Sequence, residues 1–113
     1  MRLRMPDTAV NLRDLESDFV TRRQGDLVRK SLEKTLAGLA PADRLRISLA
    51  GIGTMTPSFA DECFGKLLLS LGESHFRSRI VLSEADEVTR TLLNVVLSKR
   101  AHESNSAQSA RRA

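Results

Sequence analysis

Ser58 stands three residues before Asp61 and four before Glu62, directly behind Thr56-Pro57. A serine near acids invites a nucleophile with a carboxylate base. A carboxylate of ordinary pKa is a poor base for a hydroxyl, however, and His75 is the only histidine placed to help, so a serine hydrolase triad is not expected. Two glycine-bearing words could hold phosphate. Gly51-Ile52-Gly53 has the first two glycines of a dinucleotide fingerprint, but Thr56 occupies the position of the third. Gly65-Lys66 is followed by Leu67 where a P-loop needs Ser or Thr. Cys63 is the one cysteine, and His75 and His102 have no second ligand at metal spacing, so neither a disulfide nor a metal is expected. No cofactor is implied. What survives is a hydroxyl at the start of a helix, with acids one turn on.

The elements that must position that hydroxyl read clearly. Leu45, Ile47 and Leu49 alternate with Arg46, Ser48 and Ala50, which predicts a strand with one buried face. Phe59, Cys63, Phe64, Leu67, Leu68 and Leu71 recur at three- and four-residue spacing, which predicts a helix over 57–71 that stops near Gly72. Cys63 on that stripe reads as a small buried hydrophobe. Pro57 suits a first helical position, and Asp61 and Glu62 are expected to hold the positive end of the helix. Thr56 and Ser58 are both candidate N-caps. If Ser58 caps, Asp61 can answer it as in a capping box; if Thr56 caps, the Ser58 hydroxyl is free.

Elsewhere, Leu3 and Met5 alternate with Arg2 and Arg4, so residues 1–8 are expected to form a first strand ended by Pro6. From Val10 to Val20 the apolar residues mix periods, as in a strand passing into a turn or short helix. After Gly25-Asp26, Leu27, Val28, Leu32, Leu36 and Leu39 mark a helix ended by Gly38 and Pro41. It can begin as early as Thr21, placing Arg22, Arg23 and Arg29 near its first turns. Arg79-Ile80-Val81-Leu82 predicts a third strand. Ser83 is expected to cap a last helix with Val88, Leu92, Val95 and Val96 as its buried stripe and Lys99 and Arg100 at its carboxyl end. Residues 102–113 contain no apolar side chain larger than Ala and are expected to be a disordered tail, leaving 1–101 as the domain.

The 113 residues, 41% hydrophobic and 28% charged, suit one ordinary globular domain. No apolar run approaches the ~20 residues of a membrane span, and no signal-like segment opens the chain, so a cytoplasmic home is expected. The net charge of +4 raises nucleic acid as a partner. Acids interleave with the bases and there is no Tyr or Trp to stack on, so that reading is secondary and Arg22-Arg23 reads as a solvated face.

Segment 45–72, with Ser58-Phe59-Ala60-Asp61-Glu62 at its centre, resembles the STAS-like domains of unknown function, bacterial-type relatives of the anti-sigma factor antagonists. The resemblance extends to Arg22-Arg23-Gln24-Gly25 with Arg29, and to Arg90-Thr91-Leu92-Leu93 with Arg100. It implies an α/β fold: a small sandwich with a mostly parallel or mixed sheet and helices packed on it. It also implies a non-catalytic signalling module acting through protein contact, with a histidine-kinase-like ATPase or a sigma-regulator component as partner. In the antagonists the same strand-to-helix turn carries Asp-Ser-Ser-Gly, whose second serine is phosphorylated. Ser58 aligns there and is the candidate phospho-acceptor, although Thr56, Pro57 and Phe59 depart from that word. Thr56, Asp61, Glu62, Arg23 and Arg29 are the candidate interaction surface around it. The alternative is a small basic nucleic-acid-associated protein.

Overall fold

The computed structural model describes residues 7–112, with side chains described for residues 8–105. Three strands, β1 (Asp7–Asn11), β2 (Arg44–Ser48) and β3 (Ile80–Ser83), form one parallel sheet in that order. Parallel pairing requires a crossover between consecutive strands, and the helices supply it. Leu45 and Ile47 are fully buried while Arg44 and Arg46 are exposed, so the alternation in β2 sends one face into the core. Register places Val10 and Leu82 beside Ile47, and Ile80 beside Leu45, on that same face. The fold is therefore the α/β arrangement that the sequence implies.

The strand expected at residues 1–8 lies almost entirely outside the described residues; the strand that is described begins at Asp7. It passes at Asn11 into a single turn, α1 (Leu12–Leu15), as the mixed periods of that stretch foretell. Next comes α2 (Arg22–Ala37), started by a capping box in which Gln24 N–H donates to Thr21 Oγ1 and the Gln24 side chain answers Thr21 N–H. Gly25 is thus inside the helix instead of punctuating it. The reason is packing: a Cβ there would lie 2.9 Å from both Glu62 Cβ and Phe59 O. Leu27, expected in the stripe, is exposed; the buried positions are Val28, Leu32 and Leu36.

Beyond β2 the chain enters a helix in three parts: α3 (Pro57–Ala60), a π-helical turn (Asp61–Gly65) and α4 (Lys66–Leu71). Phe59, Cys63, Phe64 and Leu67 are fully buried along it, and Phe59 meets Phe19 edge to face at 5.3 Å between ring centres. The short α5 (Glu73–Arg79), which periodicity does not reveal, buries a single aromatic, Phe76.

The last helix, α6 (Glu87–Arg112), corrects three expectations. Asp86 caps it in place of Ser83: Asp86 Oδ1 accepts from Thr89 N–H at 2.7 Å, while Ser83 ends β3. Its buried line runs through Thr89, Leu93, Val96, Ala101 and Ser104, leaving Val88 and Val95 exposed. Residues 102–112, expected as a disordered tail, continue the helix. Ser104 is buried, and Asn105 donates to Glu73 at 3.1 Å. Arg100 therefore sits in mid-helix and not at a carboxyl end.

Candidate functional site

Thr56 settles how the central helix begins. Its backbone is extended, its Oγ1 accepts from Phe59 N–H at 3.2 Å and donates to Val20 O at 2.5 Å, and Pro57 follows as the first helical residue. With the cap so filled, the half-exposed Ser58 hydroxyl makes no hydrogen bond among the described residues. Gly51 and Gly53, both at positive φ (71° and 72°), make the turn between β2 and this cap.

Asp61 and Glu62 are not at the helix start but in the π-turn, where they tie neighbouring helices together. Asp61 faces α6: Arg100 donates to it through Nε at 2.7 Å and Nη2 at 2.8 Å. Glu62 faces α2: Arg29 Nη1 reaches Glu62 Oε2 at 3.1 Å and its carbonyl oxygen at 2.5 Å. Arg22 Nη1 bridges the two acids, at 3.1 Å from Asp61 and 3.3 Å from Glu62, and Lys66 Nζ closes on Glu62 at 3.0 Å. Arg29 is held in turn by Asp26 at 2.5 Å. π-turns recur at functional sites. Here the turn carries two adjacent carboxylates to two different helices.

The electrostatics follow from these bonds. The hydrogen bonds from Arg100, joined by those from Arg22, overcome partial burial and hold Asp61 down at about 2. Burial alone would raise Glu62, but hydrogen bonds from Lys66 and Arg29 reverse this and leave it below the ordinary glutamate value. Both acids are charged at neutral pH, satisfied, and poorly suited to take a proton from Ser58. Burial pushes the Cys63 thiol up, which fits a packing residue and not a nucleophile. Among the described residues no three His, Cys, Asp or Glu side chains gather as metal ligands, and no helix is long and apolar enough to cross a membrane.

Gly65 brings α6 close enough to complete the arrangement, since a Cβ there would lie 2.7 Å from Asp61 Oδ1 and 3.3 Å from Val96. Between α3 and α6 remains an open groove of about 370 Å³, lined by Arg22, Pro57, Ser58, Asp61, Val95 and Lys99 among others. Of the residues singled out in the sequence, Ser58 and Asp61 line this groove. Thr56 is committed to its cap, and Glu62 and Arg29 are largely buried on the α2 side. Arg23 is exposed and pairs with no acid among the described residues.

Sequence alone does not reveal the roles of Arg22, which reads as a solvated face, or of Lys66 and Arg100. A signal was available for Arg100: it follows the buried Leu93 and Val96 by seven and four residues, a core-facing position at which a cation needs an anion.

A family model described as a STAS-like domain of unknown function matches residues 24–90, more than half of the chain. The chain belongs to that STAS-like family. No curated protein and no solved structure shows significant similarity to it. The STAS-like match takes in Arg29, Ser58, Asp61 and Glu62 but stops at Arg90. Val95, Lys99 and Arg100, the α6 wall of the groove, thus lie beyond the matched span.

Proposed function

We propose that this STAS-like domain is a non-catalytic regulatory module that works by protein–protein contact at the turn around Ser58. The family membership supports a regulatory role in general. The observation that carries the finer reading is the state of Ser58: half-exposed, in an open groove, with its hydroxyl released by the Thr56 cap. As a phospho-acceptor, Ser58 would receive roughly −1.5 to −2 charges beside Arg22 and Lys99, the signs a phosphate requires, with Asp61 one turn away in opposition. The partner class that the family resemblance favours is a histidine-kinase-like ATPase or a sigma-regulator component.

The test is affinity capture of tagged wild-type, Ser58→Ala and Ser58→Asp chains from the native host, with intact-mass analysis of the captured chain. Recovery of such a regulator by wild type and Ser58→Ala, with loss on Ser58→Asp, is the expected result. Identical recovery by all three chains removes the role of Ser58. A filter-binding titration with nucleic acid that falls steeply with salt would favour the nucleic-acid reading instead.

A further inference from the structure

We propose that the outer ridge of α6, together with the groove it runs into, seats an amphipathic acidic segment of a protein partner. This rests on the protein-contact reading above and names the chemistry of that contact. Val88, Leu92 and Val95 stand at i, i+4 and i+7 and so share one face of the helix. Val88 is 80% exposed and Val95 64%, with Leu92 half-buried between them. β-Branched residues gain nothing from a solvated helix position, since they are poorer helix formers than the Lys or Glu that usually fill one. Exposed apolar surface with a polar rim is the ordinary mark of a protein contact.

The next residue along the same line, Lys99, is exposed and pairs with no acid among the described residues. Val95 and Lys99 both line the groove that holds Ser58 and Arg22. Within it, Asp61 is satisfied by Arg100 and Arg22, and Glu103, the other acid of the lining, is held by Arg100 at 3.4 Å; among the described residues the bonds of Arg22 all run through Nη1 and leave its other nitrogens to a newcomer. An entering carboxylate therefore finds donors from Lys99 and Arg22 at the end of an apolar track. A second copy of the chain docked isologously would bring its own Lys99 and Arg22 to the same place. The charge pattern favours an acidic partner over self-association, and the apolar ridge sets it apart from a surface for a phosphate backbone.

The probe is a library of short random peptides, panned on the full-length chain, from which the best binder is synthesised and its affinity measured by fluorescence anisotropy. The expected binder carries Asp or Glu beside apolar residues at helical spacing. It should lose at least about tenfold in affinity on Val95→Asp and on Lys99→Glu, as hot-spot contacts do. A version with Lys in place of its acids should regain binding to Lys99→Glu. These positions are exposed, so thermal melts of the variants should match wild type and exclude misfolding as the cause. Enrichment of basic peptides, no enrichment, or binding indifferent to both variants overturns the proposal. So does wild-type self-association that Val95→Asp abolishes, which would give the ridge to a second copy. If the peptide binds as expected but ignores Ser58→Asp, the groove stands and the regulatory role of Ser58 fails.

Discussion

Ser58 and Asp61 lie three residues apart on one helix and line one groove, yet among the described residues Asp61 receives three guanidinium hydrogen bonds and Ser58 none. The same contrast divides the region around them. On the side of the π-turn, four cations converge on two carboxylates and clamp α2 and α6 to the central helix. On the groove side, Val95 and Lys99 are exposed and Ser58 partly so. The clamped side chains hold the fold and the unclamped ones stay accessible, while Arg22, in the clamp but with its side chain 55% exposed, belongs to both sides.

Breaking the clamp should be costly. Glu62→Ala removes the carboxylate shared by Arg22, Arg29 and Lys66 and leaves Arg29, itself only 13% exposed, short of its closest buried partner. A loss of about 3 kcal/mol in a denaturant melt is expected, at the low end for breaking a buried pair because Arg29 keeps Asp26 and the backbone carbonyl of residue 62. Asp61→Asn should cost less, on the order of 2 kcal/mol, because Asp61 is one-fifth exposed and its carboxylate is stabilised by the shift from 3.8 to about 2. The pH dependence has a definite sign. A lowered pKa means stability that is complete above the ordinary aspartate range and is lost as pH falls through about 4 toward 2. Asp61→Asn should flatten that acid limb relative to wild type.

Thr56→Ala should cost about 1 kcal/mol, the usual worth of an N-cap. On the groove side, Lys99→Ala should change stability by less than about 0.5 kcal/mol, as for an exposed residue that pairs with no acid among the described residues. A large loss at Lys99, or none at Glu62, would erase the contrast between the two sides.

The sheet and the central helix were legible because burial imposes a period. Leu45 and Ile47 alternate, and Phe59, Cys63 and Leu67 recur every four residues, as their environments demand. The clamp was not legible because, apart from Lys66 four residues after Glu62, its partners are 33 to 40 residues apart in sequence and only the folded chain brings them together. Two lesser misses have local causes. Ser83 and Asp86 are both good caps, and β3 takes the first. The stretch after Ala101 has no large apolar residue to announce a helix, yet Ala101 and Ser104 are buried against the body. The groove was half visible: freedom of the Ser58 hydroxyl followed if Thr56 capped, while Val95 was expected to be buried.

The most direct test sets Ser58→Ala beside Thr56→Ala in the same thermal melt. With Thr56 as the cap and Ser58 unbonded, Ser58→Ala should melt within about a degree or two of wild type while Thr56→Ala melts several degrees lower, since about 1 kcal/mol in a domain of this size moves Tm by roughly 4–8 °C. Equal losses in the two variants, or a larger one at Ser58, would show that Ser58 holds the helix and would contradict its assignment to the contact surface.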